Sequence, residues 1–410
     1  VTSAEAFACL RDLVTLDLSH CRFPKAALVA HHYPRLASLN LFRSDLDDVD
    51  FPGWVEDWRL TDAVLAAISR QCPLLATLVL GNCSDVTSLA GLHCPLLTDL
   101  NLAACDDLED AWLTALIQCP LLSKLNLSKC HGLTSLTGLQ CPQLTDLDLS
   151  GCAGLTNASL ATIQCPLLTE LDLSRCHDLT SLAGLQCFQL TSLYLTECNG
   201  LTNASLVTIQ CPLLTELSLA GCLQLSSLAA LHCPQLTYLN IALSGFTGAG
   251  LAALRCPLLI ILNLQCCLKL TNAGLVGLQC PLLTKLNLHY CCGLTGAGLA
   301  GLKCPLLTDL DMSHFDLADA GLTGLQCPQL AFLNLNLCFG LTDASLATLQ
   351  CPLLRDLNLS QNSDLTDTGL AALRCPQLTS LKLVDCSGIT VPENIKDAQE
   401  ILRYARKVTA

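Results

Sequence analysis

Cys266, His289 and His314 are the residues whose types and spacing come nearest to a metal site. One thiolate and two imidazoles suit zinc, which takes four such ligands in a tetrahedron. They fall on successive turns of a repeat whose strands would stand about 4.8 Å apart, and no fourth ligand can be named. They read better as polar members of a binding surface than as a metal centre. For catalysis the chain offers no serine elbow, no phosphate-cradling glycine loop and no zinc-protease helix. Its carboxylates recur in register instead of pairing in an irregular context. No catalytic residue and no cofactor is assigned, and the chain reads as a non-enzyme.

The more informative positions flank pairs of leucines. From the eighth copy the exposed positions that flank them turn aromatic or apolar, at Tyr194, Tyr238, Leu243, Ile261, Tyr290, Phe332 and Leu337. Large apolar side chains on a solvated face serve no core, so they are candidate anchors for a protein partner. Packing on one another across strands is the plainer alternative. Glu197, His289 and His314 join them as polar members. Earlier copies place Asp99, Asp146, Asp148, Glu170, Asp172, Glu197 and Glu216 on the same face against Lys124, Lys129 and Arg175. That acidic wall favours a partner with a basic flank. Trp54 and Trp58 lie in an insertion at 45–59, as a plug over a repeat or a second contact site.

What must position these residues is a repeat. In Cys165–Gln186, Leu171 and Leu173 alternate with Glu170, Asp172 and Ser174, the period of a strand with one buried face. Leu179–Leu185 turns the chain back for the next copy. A single copy cannot bury its leucines, but a stack can. From Cys72 onward the copies open every 22 to 25 residues, and about sixteen strands are expected. Short copies such as 133–140 predict a turn or 3₁₀ segment. Long copies such as 155–164 predict a helical turn capped by Thr156 or Asn157, with Leu160 and Ile163 inward. Between the two strand leucines, twelve of sixteen copies have Asn or Asp, a ladder that reads as hydration of the sheet. Pro392–Lys407 predicts an amphipathic helix with Ile395, Ala398, Ile401, Leu402 and Ala405 on one stripe, a cap for the last repeat. The organisation expected is one solenoid over 1–390 and a capping helix over 391–410.

Charge and cysteine content bound the partners. With 21 basic and 35 acidic residues the net charge is −14, so nucleic acid and anionic membrane are poor partners. No apolar run is long enough to span a bilayer. Of 29 cysteines, fourteen open a copy and twelve follow a strand. Cys9, Cys266 and Cys292 alone stand outside these registers. Cysteines at fixed repeat positions behave as small buried hydrophobes, and the two in one copy are too far apart to bond. Free thiols in such number point to a reducing compartment, cytoplasmic or nuclear. The chain starts at Val1 without a methionine, which reads as part of a longer product.

The phrase L-x-x-L-x-L-x-x-C followed by L-T-[ND]-x-x-L-x-x-L-x-C-P, from Leu10 to about Thr390, resembles the cysteine-containing leucine-rich repeat. The resemblance implies an α/β fold. It is a right-handed horseshoe-shaped solenoid with a parallel sheet on the concave face and short helices on the convex one. It also implies a protein-binding scaffold. As alternatives it suggests the substrate-recognition arm of an F-box-type ubiquitin ligase or a microbial effector acting on a host protein. No F-box-like helical segment precedes Val1–Ala8.

Overall fold

The computed structural model describes residues 11–21, 31–42, 62–83, 86, 88–317, 322–392 and 395–410. The insertion at 45–59, with Trp54 and Trp58, lies outside them. Two compact units share the chain, Val1–Gly200 with Thr208–Leu213 and Leu201–Val207 with Leu214–Ala410.

The first unit carries eight strands: β1 (Thr15–Asp17), β2 (Ser38–Asn40), β3 (Thr77–Val79), β4 (Asp99–Asn101), β5 (Lys124–Asn126), β6 (Asp146–Asp148), β7 (Glu170–Asp172) and β8 (Ser192–Tyr194). The second carries β9 (Glu216–Ser218), β10 (Tyr238–Asn240), β11 (Ile261–Asn263), β12 (Lys285–Asn287), β13 (Asp309–Asp311), β14 (Phe332–Asn334), β15 (Asp356–Asn358) and β16 (Ser380–Lys382). Within each unit neighbours run parallel in sequence order, leucine beside leucine, as in Leu125↔Leu147 and Leu262↔Leu286. These leucines are buried, while the residues on either side stay at least partly open. The strand period therefore has the physical basis expected of it: one face is core and the other is solvent.

Three hydrogen-bonded ladders explain the repeated residue types. The Asn/Asp ladder is more than hydration. All twelve members accept the backbone N–H two residues on: Asp172 from Ser174 at 2.7 Å, Asn101 from Ala103 at 2.9 Å and Asp311 from Ser313 at 2.9 Å are examples. Each side chain thereby satisfies a donor where the strand ends. The strand-following cysteines are also more than hydrophobes. Cys130 Sγ donates to Leu102 O at 3.2 Å, Cys152 to Leu127 O at 3.1 Å and Cys291 to Leu264 O at 3.0 Å. Where the copy lacks cysteine, Ser244 Oγ and Asn362 Nδ2 donate to the corresponding carbonyls, Leu219 O at 3.0 Å and Leu335 O at 2.8 Å. The position therefore usually holds a small buried donor, and Phe315, buried there in the β13 copy, is the exception among the described residues. Third, Thr145 and Thr169 donate their hydroxyls to the preceding copy's Ser123 O and Thr145 O at 3.0 and 3.1 Å.

Opposite the sheet, long copies form short helices such as Asn157–Leu160 and Asn203–Leu206, with Leu160 and Ile163 buried. Thr156 is the N-cap and gives its N–H to Ser159 Oγ at 3.1 Å. Asn157 reaches instead to the next copy, accepting from Thr180 N and Ser181 N at 2.9 and 3.0 Å. The long copy at Asp110–Gln118 is 3₁₀ instead of α. The C-terminal helix spans Ala398–Thr409, starting later than Pro392 because Asp397 caps it by accepting from Glu400 N at 2.9 Å. Ala398, Ile401, Leu402 and Ala405 are buried, and the helix packs on Asp367–Ala372. Arg406 donates to Leu373 O at 3.0 Å, which occupies a carbonyl at the end of that last helix.

Tyr33 takes the place where later copies open with cysteine. It is fully buried, and its hydroxyl finds no partner among the described residues. Burial raises the phenol to about 12. An orphaned buried hydroxyl costs about 1–3 kcal/mol of desolvation, so Tyr33→Phe is expected to leave stability unchanged or raise it by up to about 1 kcal/mol. Urea denaturation measures this. A loss of more than about 1 kcal/mol would show the hydroxyl is bonded after all.

Candidate functional site

The residue before each strand-following cysteine adopts a left-handed backbone. Among the described residues thirteen non-glycines do so, including Lys129, Arg175, Glu197, Leu243, Cys266, Tyr290, His314 and Leu337. Gly151 and Gly221 sit at the same place in their copies. The conformation turns each N–H onto the next copy's carbonyl: Leu243 N to Gln265 O at 2.8 Å, Tyr290 N to Ser313 O and Leu337 N to Ser360 O at 3.0 Å. For an L-residue it costs about 1–2 kcal/mol, least for Gly, Asn or Asp.

In the second unit this row reads Leu243, Cys266, Tyr290, His314, Leu337 on five successive copies. Leu243 is 56% exposed and Tyr290 43% exposed, while Cys266, His314 and Leu337 are half-buried. Tyr290 and His314 rings meet edge-on at 5.4 Å, and His289 and His314 at 5.1 Å. The first strand column runs Tyr238, Ile261, Lys285, Asp309, Phe332. Tyr238 and Ile261 are therefore neighbours, but two charged residues separate them from Phe332. Type alone suggested one patch. Register divides it into the left-handed row, a Tyr238–Ile261 pair beside it, and Phe332 set apart.

His289 Nδ1 lies 2.7 Å from Ser313 Oγ, which donates to Asp311 Oδ1 at 2.6 Å. The order is carboxylate, hydroxyl, imidazole. A serine nucleophile needs the imidazole to take its proton, and here the Ser313 hydroxyl points that proton at Asp311 instead. The contact fixes the His289 ring. Among the described residues no group of three or more His, Cys, Asp or Glu is placed to hold a metal ion, Cys266, His289 and His314 included.

In the first unit, Asp99, Asp146, Asp148, Glu170 and Asp172 line a shallow recess on β4–β7 together with Lys124. Lys124 Nζ is 3.7 Å from Asp146. Burial pushes the Asp99 and Asp172 carboxyls up; Asp146 adds to the first effect and Asp148 to the second. The acidic wall is narrower than the composition suggested. Glu197 is paired with Arg175 at 3.0 Å, and Glu216 belongs to the second unit. Tyr194, half-buried, also belongs to the first unit.

A family model described as Leucine Rich repeat matches residues 164–183 and 350–373. No protein with a curated description matches the chain. Among 305 solved chains that match, a crystal structure of a TLR13–ssRNA13 complex is 20% identical with a TM-score of 0.51, over 93% of this chain. This chain spans 64% of that one's length. Identity at that level speaks for the fold alone.

Proposed function

We propose that the chain, a leucine-rich-repeat solenoid by its fold, recognises a protein partner through the sheet face of its second unit. Solenoids of this class are generally interaction scaffolds, because every added copy extends one continuous surface. The observation that carries the reading is the row Leu243–Leu337, where bulky side chains occupy a backbone conformation that disfavours them. Tyr238, Ile261, His289 and Phe332 border that row. The charged recess of the first unit supports a partner with a basic flank, and it opposes an RNA partner of the kind in the TLR13 complex, whose phosphates it would repel. No helix among the described residues is long and apolar enough to cross a membrane. A reducing location, cytoplasmic or nuclear, belongs to the same proposal and is supported by the 28 described cysteines, none of them in a disulfide.

The test compares wild type with Tyr238→Ser/Tyr290→Ser/Phe332→Ser in capture from lysate under reductant, followed by titration of the purified captured protein. Circular dichroism checks that the variant folds. A partner that binds wild type and loses at least tenfold in affinity for the variant supports the assignment. Equal capture by both proteins, or capture by neither, sinks it.

A further inference from the structure

From Cys72 onward each copy enters its strand through a Cys-Pro-Leu-Leu turn or a close variant, in which the cysteine and second leucine are buried and the two residues between them are open or partly open. In the first unit the two opening copies carry charge there, Arg11–Asp12 and Pro34–Arg35, and the seven copies from Cys72 onward hold Pro73–Leu74, Pro95–Leu96, Pro120–Leu121, Pro142–Gln143, Pro166–Leu167, Phe188–Gln189 and Pro212–Leu213. The five leucines are 42–47% exposed and Phe188 is 56% exposed. The column just before them is Gln71, His93, Gln118, Gln140, Gln164, Gln186 and Gln210. Three columns over seven copies therefore contain no charged residue. In the second unit the equivalent column holds Arg255, Lys303 and Arg374.

We propose that this turn edge of the first unit is where two copies of the chain associate. Two molecules of net charge −14 repel, and an edge without charge is where that repulsion is weakest. Its chemistry is also self-complementary. Leucine and proline pack on their own kind, and glutamine presents both a donor and an acceptor to another glutamine. A two-fold axis at Gln143 opposes Leu121 with Leu167 and Leu74 with Leu213, as an isologous interface requires. Seven copies at about 4.8 Å make a strip roughly 30 Å long. A strip that narrow lies at the low end of specific interfaces, near or below about 800 Å² per partner, so the dimer is weak and reversible.

Sedimentation equilibrium of the whole chain under reductant, from about 1 to 300 µM, tests this for wild type and for Leu121→Lys/Leu167→Lys. Both leucines are 45% exposed, so the lysines should not disturb folding, and a Leu121→Ser/Leu167→Ser pair checks the result without added charge. The expected outcome is a wild-type dimer that weakens at least tenfold in both pairs and persists in Tyr290→Ser/Phe332→Ser. A wild type that stays monomeric over the whole range overturns the proposal, including the case where the edge instead binds another protein. A dimer that the leucine variants leave intact overturns it equally.

Discussion

Raising the pH from 8 to about 10.5 under reductant is expected to unfold this protein steeply. Twenty buried thiols, ten in each unit, have proton affinities raised by burial; Cys141, Cys187, Cys280 and Cys351 rise to about 12, and Cys165, Cys211 and Cys267 to about 11. Neighbouring thiols in the opening ladder add to this, as Cys165 and Cys211 do for Cys187. In the unfolded chain a thiol ionises near 8.5. Between the two values the folded state holds more protons, so the stabilisation is intact below about pH 8.5 and is lost as pH climbs toward 11–12. Each thiol raised that far contributes up to about 1.4 kcal/mol per pH unit over that window, so the nine such thiols in one unit contribute up to about 13 kcal/mol per pH unit. A whole domain commonly has only about 5–15 kcal/mol in hand, so one to two pH units above the thiol range suffice. The strand-following thiolates would lose their bonds as well, since a thiolate has no proton to give Leu127 O or Leu264 O.

Melting followed by circular dichroism at pH 7, 9, 10 and 11 measures the effect. The variant Cys152→Ser/Cys176→Ser/Cys291→Ser should move the transition upward in pH, because serine keeps the donor and does not ionise there. A melting temperature that stays level up to about pH 10.5 would mean that the buried thiols do not govern stability.

The sheet was legible because alternation at Leu171 and Leu173 leaves no other economical reading, and the copy spacing placed all sixteen described strands. The C-terminal helix was legible in its stripe but not in its start, since Asp397 competes with Pro392 as a first-turn signal and a side-chain cap decides the matter. The two roles of cysteine were half legible. Burial follows from register, whereas the bond to the preceding copy shows in sequence only through Ser244 and Asn362, whose sole shared property with cysteine is a donor. The left-handed row was hidden because its occupants range from His20 and Ala104 to Leu337, with Asn82, Gly151, Gly221 and Asp385 alone among the described residues hinting at the backbone. Grouping residues by type joined Phe332 to Ile261, and the strand register separates them by Lys285 and Asp309.

That hidden row supplies the sharpest separation of stability from binding. Leu243→Gly/Tyr290→Gly/Leu337→Gly is expected to hold or raise the stability of the second unit while lowering partner affinity at least a hundredfold. Each glycine removes a left-handed penalty of about 1–2 kcal/mol and adds back about 0.5–1 kcal/mol through the freer unfolded chain, leaving a net gain near 0.5 kcal/mol per site. Gly151 and Gly221 already occupy that position in other copies, so the backbone needs no rearrangement. Removing Tyr290 takes away a residue type from which binding hot spots are drawn, at about 2 kcal/mol or more, and removing the two leucines takes away the apolar contact around it. Chemical denaturation and titration with the captured partner read the two effects separately. If the variant loses stability instead, the side chains are there to brace the sheet, with the Tyr290–His314 ring contact as the visible brace. If it is stable and still binds, the row is strained for no partner and recognition lies elsewhere. Only gain or constancy of stability together with loss of binding fits a surface kept against its own folding preference for the sake of what it holds.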